Sequence, residues 1–153
     1  MRTLADVIAF NEKNRSAEMP YFEQELFIQA EGKGPLTESK YIQARADCIR
    51  LSRAEGIDAV LGEHKLDAIV SLTNGPAWLI DFANGDYDTG GCSTPAAVAG
   101  YPHVTVPAGM FRGLPVGLSF FGAPNTEGPL LKLAYGWEQM TKARRKPAFL
   151  AHV

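Results

Sequence analysis

Cysteine is scarce in this chain: Cys48 and Cys92 are the two among 153 residues. Two thiols cannot build a disulfide framework or a thiolate zinc site, and they fit a reducing compartment. Histidine is almost as rare, with His64, His103 and His152 far apart and in no HExxH-type spacing. No metal and no cofactor is expected. Apolar runs extend over only a handful of residues, whereas about 20 are needed to span a bilayer, so no membrane partner is expected. Residues 1–6 include no long apolar stretch of the kind that directs secretion, and the expected compartment is the cytoplasm. An excess of one charge is also missing: 15 Lys and Arg against 17 Asp and Glu leave a net charge of −2. Such a chain has no general attraction for nucleic acid, which would need a local basic patch. The basic cluster Arg144-Arg145-Lys146 reads as a cationic helix C-terminus instead.

The residues that are abundant point to a globular protein. Hydrophobic residues make up 46% and charged residues 21%, which excludes a disordered chain. The length suffices for one domain with a core.

The first part of the chain reads as helical. Thr3 and Asp6 have capping spacing, and Leu4, Val7, Ile8 and Phe10 recur at helical intervals. Pro20 breaks the pattern, a second helix is expected over 21–31, and Gly32 and Gly34 end it. Thr37 or Ser39 is placed to cap a longer helix reaching Glu55, with Gly56 as its left-handed C-terminal residue. Asp58 is placed to cap one more helix through His64.

From Leu66 the texture changes. Residues 68–72 form a short apolar run, read as a buried strand. Thr73-Asn74-Gly75-Pro76 reads as a turn, with a helix from Pro76 to about Phe82. A glycine-rich loop over 85–91 leads to a helix with Thr94 as N-cap and Pro95 at its first position, ending at Gly100. Strands are expected over 104–106 and 116–121, with Pro102 and Pro107 bracketing the first. A last helix starts at Asn125 or Thr126. Its Leu130, Leu133, Ala134 and Trp137 make an apolar stripe with Met140 beside it, and Pro147 follows. Strands alternating with helices indicate α/β architecture with some parallel pairing. The expected organisation is a helical segment over 1–65 and an α/β segment over 66–153, together one domain.

Chemistry has few places to reside. No GxSxG elbow and no serine with lysine three positions on is present. Asp81, Asp86 and Asp88 cluster with Asn84, where a cation or acid–base site competes with the favoured reading, side chains that bend a loop. The loop Thr89-Gly90-Gly91-Cys92-Ser93-Thr94-Pro95 brings a thiol to a helix start, a setting that favours the thiolate, with His103 downstream as a base. The favoured alternative is a small side chain packing a tight turn. Trp78 follows the Gly75-Pro76 turn after a strand end, where α/β folds place ligand sites. Trp78, Asp81, Asn84 and Cys92 are the candidate pocket residues.

Residues 93–109 (STPAAVAGYPHVTVPAG) and 113–122 (GLPVGLSFFG), followed by a helix carrying Glu138-Gln139, form a specific combination. Upstream, Leu66-Asp67-Ala68-Ile69-Val70 leads into Gly75-Pro76-Ala77-Trp78. In this order these segments resemble the C-terminal part of the amidase signature family, strongly over about 66–150. The helical region around Glu18-Met19-Pro20-Tyr21-Phe22 is similar to the segment preceding it in many bacterial members. The resemblance implies a partial amidase-signature fold: α/β, a helical N-terminal part followed by a small mixed sheet packed with helices. It implies hydrolysis of a small amide by two serines and a lysine in the N-terminal half, and this chain has no stretch matching theirs. Gly90-Gly91-Cys92-Ser93 has a superficial likeness to it, but it precedes Pro95-Ala96-Ala97 and so falls in the C-terminal segment. No catalytic residue is therefore assigned. The expected role is an amidase C-terminal region inactive alone, partnered by the missing N-terminal half or by copies of itself. The alternatives are a free-standing Cys92/His103 hydrolase and a non-enzymatic assembly or binding module.

Overall fold

The computed structural model describes residues 1–146, which form two compact units, one over Met1–Gln43 and the other from Ala44 onward. Pro147 and His152 lie outside the described residues.

The first unit is helical. Helix α1 (Leu4–Lys13) starts on a reciprocal cap, the Thr3 hydroxyl accepting from the Asp6 N–H while the Asp6 carboxylate accepts from the Thr3 N–H. The Arg2 N–H, at 2.7 Å, and then the Thr3 N–H hold the Asp6 carboxyl below its ordinary range. A short helix α2 (Arg15–Glu18) follows. The expected 21–31 helix is shorter: α3 is Glu25–Glu31. Gln24 is instead buried as a bracket to α1, its side chain accepting from Asn11 and donating to the Ile8 carbonyl.

Helix α4 (Ser39–Ser52) runs into a π-helical turn over Arg53–Ile57, then α5 (Asp58–His64). Gly56 is not the left-handed cap expected. Its φ is −119° and ψ −106°, and a Cβ there would collide with the Leu51 carbonyl oxygen. Asp58 does not cap α5 with its side chain; that carboxylate accepts from the Tyr101 hydroxyl at 3.0 Å.

Three strands follow: β1 (Ile69–Leu72), β2 (His103–Phe111) and β3 (Leu114–Phe121). Their order is β1-β3-β2. The α/β class and the small sheet packed with helices are found as expected. The parallel pairing is not: both described pairings are antiparallel. The physical reason is the two-residue turn Arg112–Gly113, both with positive φ (49° and 83°), which folds β3 directly back on β2. Pro107 lies inside β2 rather than at its end. A register shift between Pro107 and Gly109 accommodates it, and Trp137 Nε1 donates to its carbonyl at 3.0 Å.

The register sorts the side chains. Ile69, His103 and Phe121 share one face of the sheet; Val70, Val104 and Phe120 share the other. The first face is covered by Ile57, Leu61, Ala96 and Ala99, from the π-turn, α5 and α6 (Ser93–Ala99). Ala96 and Ala99 leave no accessible surface, so α6 lies flat against its neighbours. Its N-cap is Cys92, two residues before the Thr94 expected, which puts Pro95 within the first turn. It ends at Gly100 as expected, with Arg53 Nε donating to the Ala99 carbonyl at 2.8 Å.

Helix α7 (Glu127–Thr141) covers the second face through Leu130, Ala134 and Trp137 over Val106, Phe120 and Leu118. Leu133, expected on that stripe, and Met140, expected beside it, are exposed. The stripe is narrower than the sequence implies because α7 crosses β2 and β3 only. The Arg144–Lys146 cluster behaves as a helix end: Arg145 donates to the Lys142 carbonyl.

Leu130, 1% exposed, is the most deeply buried side chain at this interface. Leu130→Ala is expected to destabilise the fold by about 2–5 kcal/mol, measured by denaturant unfolding.

Candidate functional site

Strand β1 ends in a long connection to α6, and this connection carries all four candidate pocket residues. It is pinned at both ends. The Thr73 N–H donates to the Gly117 carbonyl at 2.8 Å, and the Cys92 N–H donates to the Thr73 carbonyl at 3.1 Å. An isolated antiparallel bridge joins Asn74 to Gly91. The two ends approach too closely for side chains: a Cβ on Gly91 would stand 2.7 Å from the Thr73 carbonyl oxygen, and one on Gly75 would collide with Thr89.

Between them lies an open cleft of about 510 Å³, lined by Ser71, Leu72, Asn74, Gly75 and residues 89–92. Cys92 is the one candidate on its wall. Asp81 and Asn84 form their own turn: the Asp81 carboxylate accepts from the N–H groups of Ala83 and Asn84 and from Asn84 Nδ2, each at 2.9 Å. The Asn84 side chain, then its backbone, hold that carboxyl below its ordinary range. The expected helix from Pro76 to Phe82 is absent; this segment is irregular, with a turn beginning at Phe82. Trp78, Leu79 and Ile80 in it stand exposed. A helix there would have to be held by packing, since short helices are marginal alone. Among the described residues, no three His, Cys, Asp or Glu side chains are placed to hold a metal ion. No helix among them is long and apolar enough to cross a membrane.

Cys92 packs at the edge of the cluster formed by Ile57, Leu61, Ala96, Ala99 and Phe121. His103 reaches the same cluster from β2, its ring stacked on Phe121 at 5.5 Å and 30°. No hydrogen bond joins Cys92 to His103 among the described residues. Burial lowers the His103 pKa below its ordinary 6.5.

Three hydroxyls escaped the sequence reading. Ser119 is fully buried at the centre of β3, with Thr73 Oγ1 at 2.8 Å and Thr105 Oγ1 at 3.0 Å. They lie on the His103 face, at the end nearest the cleft, where Gly117 leaves room for Thr73. The signal was two hydroxyl residues, Thr105 and Ser119, at interior positions of otherwise apolar strands. Only the cross-strand register brings them together.

The amidase relatives match nearly the whole chain. A protein of Arabidopsis thaliana named a probable amidase is 37% identical over 153 residues, covering 99% of this chain and 26% of its own. The native peptide amidase of Stenotrophomonas maltophilia superposes with a TM-score of 0.89 at 46% identity, over 97% of this chain and 30% of that one. The peptide amidase bound to the competitive inhibitor chymostatin gives a TM-score of 0.92 at 48% identity, over 97% and 30%. A glutamyl-tRNA(Gln) amidotransferase subunit of Moorella thermoacetica is 44% identical over 55 residues, covering 36% of this chain and 11% of its own. No family model matches the chain. The chain spans less than a third of these relatives' lengths.

Two outcomes test this geometry. Gly91→Ala is expected to force the two ends of the connection apart and cost about 1–3 kcal/mol in thermal or denaturant unfolding. His103 favours its neutral form when folded, so the unfolded chain binds more protons below pH 6.5. Stability is therefore expected to fall as pH drops below that value. His103→Phe is expected to remove this component, read from unfolding midpoints across pH.

Proposed function

From the premise that this chain corresponds to the C-terminal part of a larger amidase-signature protein, we propose that it supplies sheet, covering helices and one wall of a substrate pocket to an amide C–N bond hydrolase. The carrying observation is the match of 97–99% of this chain to 26–30% of longer amidases, at TM-scores of 0.89 and 0.92 for the solved peptide amidases. The serines and lysine that the resemblance requires have no counterpart stretch here, so the chain is inactive alone. The Thr73–Cys92 connection is its contribution to the pocket, with Cys92 on the cleft wall and Trp78, Asp81 and Asn84 on the exposed arm. The substrate is a small amide, and the relatives' names make peptide amides the class to test. The chain acts in the cytoplasm. Its partner is the remaining length of the amidase, and in its absence the exposed apolar surface drives self-association.

The test is hydrolysis of peptide amides and aryl amides by the purified chain and by Cys92→Ala. No turnover by either is expected. Turnover abolished by Cys92→Ala would overturn this reading and make Cys92 a nucleophile with His103 as its base. Light scattering is expected to find species larger than the 16.6 kDa monomer; a monomer at high concentration would refute the self-association.

A further inference from the structure

Asparagine followed by glycine is a chemically labile pair, because no side chain screens the amide nitrogen that attacks the preceding side chain. The chain holds five asparagines, and two of them precede glycine: Asn74-Gly75 and Asn84-Gly85. Asn11, Asn14 and Asn125 precede Glu12, Arg15 and Thr126 instead. Both labile pairs lie in the connection between Thr73 and Cys92, and both asparagines are exposed to water. Exposure therefore does not separate them; their hydrogen bonds do.

Asn84 is held away from such a reaction. Its Nδ2 and its backbone N–H both donate to the Asp81 carboxylate at 2.9 Å. The Gly85 N–H, which carries the nitrogen that would attack, donates to the Asp81 carbonyl at 3.1 Å. Attack would break the bond at Gly85 and pull Asn84 Nδ2 off an ionised acceptor, whose bonds are the stronger kind.

Asn74 is arranged the other way. The Gly75 N–H donates to Asn74 Oδ1 at 3.1 Å, so the side-chain carbonyl is folded back on the nitrogen that follows it. Nearness and orientation of this kind are what an intramolecular attack needs. Asn74 Nδ2, the nitrogen that leaves, has no hydrogen-bond partner among the described residues. The Gly91 side is open as well. A Cβ at that position would stand 3.2 Å from Asn74 Oδ1 and 3.4 Å from its Cγ, and glycine has none.

We propose that Asn74 is a self-modification site, converted in the folded chain to isoaspartate, and that the product opens the junction between Thr73 and Cys92. The Gly75 nitrogen gives its proton to solvent hydroxide and bonds to Asn74 Cγ. The bond from Cγ to Nδ2 then breaks, and Nδ2 leaves as ammonia with a proton taken from water. Water next opens the five-membered succinimide. Opening at the backbone carbonyl leaves the chain running through Cβ and Cγ, which is isoaspartate; opening at the side-chain carbonyl leaves aspartate. The net change is a water consumed and an ammonia released, with no oxidation. Isoaspartate lengthens the backbone where nothing is slack. The Thr73 carbonyl already holds the Cys92 N–H, Asn74 is bridged to Gly91, and Gly91 has no room even for a Cβ beside Thr73. The product also adds a carboxylate to the cleft wall. The site follows from these contacts and does not depend on the reading of the chain as part of an amidase.

The experiment incubates the purified chain in mildly alkaline buffer, folded or in urea, and digests it with chymotrypsin, which cuts after Trp78 and so separates Asn74 from Asn84. Mass spectrometry reads the gain of about 1 Da that each conversion causes, and labelling by a protein isoaspartyl methyltransferase identifies the product. In the folded chain Asn74 is expected to convert about tenfold faster than Asn84, and in urea the two rates are expected to agree within about twofold. Equal rates in the folded chain, a faster Asn84, or no conversion at Asn74 overturn the proposal. Asn74→Gln, whose longer side chain closes the ring far more slowly, is expected to abolish the isoaspartate signal from its peptide. Asp81→Ala is expected to raise the Asn84 rate about tenfold and leave Asn74 unchanged. An unchanged Asn84 rate overturns its protection by Asp81, and with it the choice between the two sites. The converted chain, separated on an ion exchanger by its added negative charge, is expected to exchange the Cys92 amide about tenfold faster. A converted chain whose Cys92 amide stays as protected as before overturns the opening of the junction.

Discussion

Strand β3 is the element on which the unit from Ala44 onward depends, because among the described strands it alone is hydrogen-bonded on both sides. Its Phe121 anchors the layer built from the π-turn, α5 and α6, and its Phe120 anchors the layer built by α7. Between those layers Ser119 sits with no accessible surface, satisfied by a hydroxyl from each neighbouring segment. A buried hydroxyl is tolerated only when its partners are in place, so this triangle ties the register of β1 and β2 to that of β3. Shifting either strand by one residue would strand a polar group inside the sheet.

The connection after β1 inherits its geometry from that register. Thr73 is fixed to Gly117 by its backbone N–H and to Ser119 by its hydroxyl, and its carbonyl then receives Cys92. Residues 73 and 92 are therefore neighbours although a long loop separates them, and α6 starts where that loop closes. The cleft is a consequence of two pinned ends and two glycines, with an arm between them free to project. Its acidic cluster turned out to shape a loop: Asp81 is consumed by Ala83 and Asn84, and Asp88 accepts from the Gly90 N–H.

The two edges of the sheet are unlike, and the difference links fold to role. Natural sheets protect terminal strands with proline, charge or irregular register. Here β2 is protected and β1 is not, while the amidases that this chain matches are more than three times as long. The same segment that looks unfinished structurally, from β1 through the exposed Leu79 and Ile80, also carries the candidate pocket residues.

Much of this protein was legible in local chemistry. The Thr3–Asp6 cap, the α6 stop at Gly100 and the helical and strand textures on either side of Leu66 are decided by residues within one turn of each other. So was the family resemblance, carried by contiguous segments from Ser93 to Gly122. Other features belonged to tertiary structure because they depend on what lies across space. Antiparallel order followed from the Arg112–Gly113 turn acting with the β1 register, and Gly56 was explained by the Leu51 carbonyl rather than by a left-handed cap. The exposure of Leu133 and Met140 reflects where α7 crosses the sheet. The open edge of β1 has no local signature at all, and the interior hydroxyls of Thr105 and Ser119 become a triangle with Thr73 only through the cross-strand register. Composition and spacing determine which backbone a segment prefers; only the packed sheet decides which polar groups find partners and which remain available.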